Sequence, residues 1–203
     1  LTASPAGSDI WDIADTSSAG TPTYTVGGIN GEATLAFDTQ AEAQNVCLFM
    51  SDRLNFDIDK LLRIEMAVKM GQAAVDATTS LAFGLASARN DAIDSITAHA
   101  SFRVIGSGST TAVVVETDDG TTDLDDKATG TTMINAYKRF VIDFSGGTST
   151  VKFYIDGVQV ATSTTFDMSG YTAGLQPYVQ LQKTSDANAN SVVVDYIKIV
   201  SRR

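Results

Sequence analysis

Histidine and cysteine are nearly absent from this chain of 203 residues, which has one of each, His99 and Cys47. A single cysteine cannot close an internal disulfide, and one histidine leaves the usual zinc ligand sets out of reach. Cationic residues are scarce as well, 14 against 24 acidic ones, giving a net charge of −10. That balance repels phosphates and anionic membrane surfaces, which argues against nucleic acid and membranes as partners. No apolar run approaches the roughly 18 residues a membrane helix needs. Leu1–Pro5 carries neither the basic segment nor the apolar core of a signal peptide. Cys47 sits in the apolar run Val46–Met50 and is expected to be a buried small hydrophobe.

What remains is a chain that is 43% hydrophobic and rich in Thr, Ser, Ala, Gly and Val, which favours short strands and polar turns. Alternation with a period of two recurs along it. Leu62–Met70 alternates over nine residues, a half-buried strand and not a helix. Ala33–Asp38, Asp52–Asp59, Thr79–Ala86, Ile96–Ile105, Thr111–Thr117, Tyr137–Phe144, Leu175–Gln182 and Val192–Val200 read as further strands, and Val46–Met50 as one covered on both sides. The polar connector around Arg89–Asp91 is either a loop or one helical turn. Asp156-Gly157, between Val151–Ile155 and Val158–Ala161, is a strong hairpin signal, because a type I′ turn needs positive φ at both central residues.

About a dozen short strands with regular turns predict an all-β fold, an antiparallel two-sheet jelly-roll sandwich. Residues 22–203 form that sandwich, preceded by an irregular arm over 1–21. Within the arm Ile10, Trp11 and Ile13 are candidate contacts, either with a sheet face of this chain or with a neighbouring subunit. The acidic run Asp118–Asp126 is the one metal candidate: Asp118, Asp119, Asp123 and Asp125 could offer oxygens to calcium, although the spacing is not that of an EF-hand. Its other reading is a solvated hairpin loop with no cofactor. Tyr171 and Tyr178 are the aromatics whose burial the pattern leaves most open.

The succession Tyr137–Asp143, Thr150–Gly157 and the closing run Val193–Ile199 resembles the core of concanavalin A-like (laminin G-like) jelly rolls. The resemblance implies the sandwich fold and leaves function open, since lectins, glycan hydrolases, adhesion modules and virion proteins share it. Hydrolases of this fold place two carboxylates at a spacing close to Glu-x-Asp-x-x-Glu, so that both acids face one cleft. The chain has four glutamates and no such triplet: Glu65 precedes Met66-Ala67, and Glu116 precedes Thr117-Asp118. His99 has no nucleophile elbow to serve. The expectation is therefore a non-enzyme.

The Thr/Ala/Gly/Val-rich, cysteine-poor, acidic texture also resembles structural proteins of tailed-phage virions. That resemblance implies a capsid decoration, cement or head-fibre protein on the capsid exterior. It would dock on the major capsid protein and form homo-oligomers, such as trimers, through its arm. The alternative is a lectin-like carbohydrate-binding module, as in a tail fibre or adhesin, with a glycan as partner.

Overall fold

A computed structural model describes residues 11–26, 31–53, 56–72, 75–106 and 112–203. Its strands are β1 (Asp12–Asp15), β2 (Thr23–Val26), β3 (Ala33–Ala36), β4 (Glu42–Phe49), β5 (Phe56–Asp57), β6 (Leu61–Met70), β7 (Thr79–Ala86) and β8 (His99–Ile105). They continue as β9 (Ala112–Asp118), β10 (Asp123–Thr132), β11 (Lys138–Asp143), β12 (Lys152–Ile155), β13 (Val158–Val160), β14 (Gly174–Asp186) and β15 (Ser191–Ser201). Two sheets result, with every pairing between described strands antiparallel. The larger runs β1-β4-β14-β7-β8-β9-β10, with β5 also on β14, and the smaller runs β13-β12-β11-β6-β15-β3-β2. The chain is an antiparallel jelly-roll sandwich.

Alternation explains the core. Ile64, Met66, Val68 and Met70 of β6 point inward, as do Phe140 and Ile142 of β11 and Phe153 and Ile155 of β12. From the larger sheet Leu81, Phe83, Leu85, Phe102, Val104, Val179 and Leu181 meet them. Phe83, Phe102, Phe140, Phe153 and Phe166 form a chain of rings 4.8–5.6 Å apart that joins the two layers. Phe83 and Phe102 stack and the other pairs meet edge to face, and such aromatic contacts add about 0.5–1.5 kcal/mol per pair to the area each ring buries. At the Asp156-Gly157 turn both residues have positive φ, 51° and 84°, as a type I′ turn demands.

Three local departures have physical causes. Asp52–Asp59 is not one strand: Ser51 and Asp52 turn with positive φ, and a two-residue β5 leads into a 3-10 turn over Ile58–Lys60 capped by the Asp57 carboxylate. The Asp57 carboxylate, accepting from the Asp59 N–H, offers the backbone a local alternative to the ladder here. The connector after β7 contains a 3-10 turn at Ile93–Ser95, so β8 starts at His99. The arm expected to be irregular holds β1, which pairs with β4 through Ile13 opposite Leu48.

Candidate functional site

The outward face of the larger sheet carries the charged and polar side chains that an otherwise apolar set of strands cannot place inside. Strand register arranges them in rows. Tyr178, Gly84, Ser101 and Glu116 lie side by side across β14, β7, β8 and β9. Gln180, Ala82, Arg103 and Val114 form the next row, and Gln176, Ala86, His99 and Asp118 the row on the other side. Gly84 is required in the first row. Its φ is 149°, and a Cβ there would stand 2.4 Å from the carbonyl oxygen of Ala100.

The chain between β7 and β8, residues 87–98, folds back over this face as a strap. Ile93 and Ile96 plug it down onto Cys47, Phe49, Ala82, Ala86 and Tyr178, a small second core outside the sandwich. Polar ties hold its edges: Gln180 Nε2 donates to the Asn90 carbonyl at 2.7 Å, the Gln182 side-chain oxygen accepts from the Ile93 N–H at 3.3 Å, and Asn45 donates to the Asp91 carbonyl. Arg103 pairs with Asp94 of the strap. Beneath it the Tyr178 hydroxyl, Ser101 Oγ, Gln180 Oε1, Asn45 Oδ1 and Arg103 Nε are buried with no hydrogen-bond partner. Polar groups left so are uncommon in folded proteins, because each costs about 1–3 kcal/mol of lost hydration.

Beside the strap, towards β10, the charges gather. Glu116 is 2% exposed, and one of its oxygens accepts from Arg103 Nη1 at 3.1 Å. Its other oxygen stands 3.8 Å from His99 Nε2. Burial pulls the Glu116 carboxyl up, but His99, the neighbouring Asp126 carboxyl and Arg103 outweigh it and hold the group below the ordinary glutamate value. Burial alone would lower His99, yet Glu116 leaves it raised on balance. Asp126 moves the other way, up to about 6, through burial first and then through the hydrogen bond and charge of Glu116. A second anion beside Glu116 is disfavoured, which is the direction in which Asp126 moves. Asp126 is held with φ at 51° on a bulged stretch of β10, which aims its side chain back at β9.

Of the residues singled out in the sequence, Tyr178 and Asp118 fall in these rows and the others lie outside them. Trp11 and Ile13 are half-buried against this chain's own main core, and Ile10 lies outside the described residues. Asp118 accepts from the Gly120 N–H, and Asp119 accepts from Thr121, Thr122 and Gly170, so both carboxylates close the β9–β10 turn. Asp123 is raised by burial and by its contact with Asp125. Among the described residues no three His, Cys, Asp or Glu side chains are placed to share a metal ion. Tyr178 is fully buried, and Tyr171 is half-buried with its hydroxyl on the Gly174 carbonyl. Cys47 is buried, and burial drives its thiol pKa up. The sequence pattern led to His99 and Glu116 being set aside one at a time and gave no reason to single out Arg103. Their signal is charge at alternate positions within apolar strands, His99-x-x-x-Arg103 on one and Glu116 on the next.

No family model matches the chain, and no curated protein matches it. Solved structures do. The β-glucanase of Bacillus licheniformis is 14% identical, with a TM-score of 0.65 over 98% of this chain and 95% of that one. The potassium-bound carbohydrate recognition domain of Emp46p is 13% identical, with a TM-score of 0.61 over 94% and 88%. A glycoside hydrolase family 16 endo-glucanase from Bacteroides ovatus is 11% identical, with a TM-score of 0.63 over 94% of each chain. The fold is the concanavalin A-like jelly roll.

These neighbours overturn two expectations. The virion reading rested on texture alone. Proteins that share the architecture along nearly the whole chain are a carbohydrate recognition domain and glucanases, which favours the carbohydrate-binding alternative. The exclusion of enzymatic activity rested on a missing carboxylate triplet within one strand and on a lone histidine with no nucleophile elbow. Glucanases and a laminarinase share the fold, and here two carboxyls, Glu116 and Asp126, meet across neighbouring strands, where sequence spacing does not show them. Among the described residues no helix is long and apolar enough to cross a membrane.

Proposed function

We propose that this chain is a carbohydrate-recognition domain that takes a glycan on the outward face of its larger sheet, at the Arg103–Glu116–Asp126 cluster beside the strap. The observation that carries the reading is the cluster of polar groups gathered on that face beside the strap: a guanidinium, two carboxyls and an imidazole, with the Asp126 and Asp94 carboxyls reaching solvent. Sugar hydroxyls both donate and accept, and such a mixed set of fixed donors and acceptors suits them. The carbohydrate recognition domain and the glucanase among the fold neighbours support the same class of ligand.

Calorimetric titration with laminari-oligosaccharides and mixed-linkage β-gluco-oligosaccharides tests it. Binding is expected to weaken at least about tenfold in Asp126→Asn and Asp94→Asn, each a loss of about 1.4 kcal/mol. Both are exposed positions, so the fold is retained. The reading fails if no oligosaccharide binds, or if both variants bind as the parent does.

One observation favours a second reading, glycan hydrolysis. Glu116 is pushed below and Asp126 above the usual carboxyl range, the opposed shifts that separate an ionised nucleophile or base from a protonated acid. A retaining pair stands about 5 Å apart. The two groups touch here, so a glycosidic oxygen would have to part them. Release of reducing ends from mixed-linkage β-glucan, abolished by both Glu116→Gln and Asp126→Asn and falling above about pH 6, would establish it. Intact polymer after prolonged incubation would dismiss it.

A further inference from the structure

At one end of the sandwich, away from the strap, Lys183 is 1% exposed and has its ammonium inside a cage of main-chain oxygens. Nζ donates to the carbonyls of Asp38, Gln40 and Asp186, each at 2.9 Å, with Asn188 O at 3.4 Å. It also lies 5.4 Å from the centre of the Phe37 ring. Among the described residues no carboxylate forms an ion pair with it; four carbonyl dipoles and a ring face surround it, and the Asp38 carboxylate acts on it through space. An ammonium has three hydrogens, so the cage offers one acceptor more than the lysine can engage.

The cage is made by two connections that both cross between the sheets. Asp38–Gln40 leads from β3 of the smaller sheet to β4 of the larger, and Asp186–Asn188 leads from β14 back to β15. Each is wound by its own aspartate, Asp38 accepting from the Gln40 N–H and Asp186 from the Asn188 N–H, a local turn that throws the carbonyls inward. Converging carbonyls repel one another unless a cation sits among them. Oxygen cages of this kind are how proteins hold hard or weakly hydrated cations, and carbonyl oxygens can replace the hydration shell of potassium. Contacts of 2.9 Å suit ammonium and potassium better than calcium, whose oxygens come to about 2.3–2.6 Å.

We propose that Lys183 is a chain-borne substitute for a bound cation: its ammonium occupies a monovalent-cation site that would otherwise need a metal to join the two crossing connections. The side chain carries the charge from β14 into the site, so the clamp is present at any salt composition. Shortening the side chain should uncover the site for an ion from solution, while an apolar side chain of similar length should fill it and bind nothing.

Thermal unfolding of the full chain tests this, with the parent, Lys183→Ala and Lys183→Met each measured in potassium, ammonium and tetramethylammonium chloride at equal ionic strength. The parent should melt at one temperature in all three salts. Both variants should melt lower by on the order of 10 °C, because carbonyls are left facing no charge. Only Lys183→Ala should recover several degrees in potassium or ammonium, and not in tetramethylammonium, which is too large to enter. A Lys183→Met variant as stable as the parent would overturn the proposal, as would a Lys183→Ala variant equally unstable in every salt. Should the alanine variant fail to fold in any salt, the parent still decides. A caged Lys183 ammonium should give a slowly exchanging proton-coupled nitrogen resonance near neutral pH, and its absence would count against the cage.

Discussion

The two outward faces of the sandwich are built from the same alternation yet handle their charges in opposite ways. On the smaller sheet Arg63, Glu65 and Lys69 of β6 stand beside Arg139 and Asp143 of β11 and Tyr196 and Lys198 of β15, open to water. Their contacts are light: Tyr196 donates to Glu65 at 2.6 Å, and Lys69 approaches Glu32 at 3.8 Å and the Tyr137 ring at 4.3 Å. On the larger sheet the strap removes the water, so Arg103, Glu116 and His99 must find partners within the protein. An exposed pair is worth about 0–1 kcal/mol because water screens it. A buried group that loses its partner keeps its charge without hydration, and that costs several times more. The difference teaches where function would reside. Water neutralises the open face, whereas the covered face holds polar groups in fixed positions with capacity to spare.

Replacing one glutamate on each face should expose the contrast most sharply. Glu116→Ala leaves Arg103 and His99 facing each other without their common anion, and is expected to cost about 3–5 kcal/mol. Glu65→Ala removes only a solvated acceptor from Tyr196, and should fall within about 0.5 kcal/mol of the parent. Equal losses, measured by denaturant unfolding, would mean that burial beside the strap does not change the setting of these charges.

A smaller effect is expected from loosening the cover. Ile93 is 4% exposed and fills the gap between the strap and Tyr178. Ile93→Ala should cost about 2–3 kcal/mol, the lower part of the range for buried isoleucine, because the site lies near the surface and can collapse. Amide hydrogen exchange should quicken in residues 87–98 and in the rows below them, and stay slow in β6 and β11. Uniform quickening across both sheets would show that the strap is no separate unit.

The sheets were legible in the sequence because period-two alternation is a property of single strands, and each strand announces itself. Leu62–Met70, Thr79–Ala86 and the Asp156-Gly157 hairpin needed nothing beyond their own residues. The site was not legible, because Glu116 and Asp126 sit ten residues apart on strands whose pairing is broken by bulges. Bulges shift which residue faces which, and no local pattern states the shift. Nor did alternation show that the outward face of β4 and β14 is covered. Tyr178 therefore read as a candidate for exposure when it is wholly buried by Ile93 and Ile96 from a distant connection. For Trp11 and Ile13 the sequence left two contacts open, because apolar residues in a polar stretch suit a neighbouring subunit and the chain's own core equally well, and here they pack on the core.

The mildest change, a shift of pH, should also separate the faces, and its sign follows from the charges around Glu116. Asp126 rises from the ordinary aspartate value to about 6 on folding. A group raised on folding stabilises the protein fully below its unfolded value, and that contribution is lost as pH climbs through the folded one, here between about 4 and 6. His99 is also raised, so its contribution likewise fades on the alkaline side of its unfolded value near 6.5. Glu116 is lowered, as are Asp38, Asp119 and Asp156, and these lose their contribution only in acid, as pH falls below the ordinary carboxyl range. Stability should therefore be greatest near pH 5 and decline towards pH 8, the melting temperature falling by a few degrees. Asp126 is exposed on one side, so solvent screens part of its share. In Asp126→Asn the decline should shrink to what His99 and the likewise raised Asp123 supply, and in the triple variant with His99→Gln and Asp123→Asn it should vanish. Glu65→Gln, on the open face, should leave the profile unchanged. A decline that survives in the triple variant would place its origin outside the covered face.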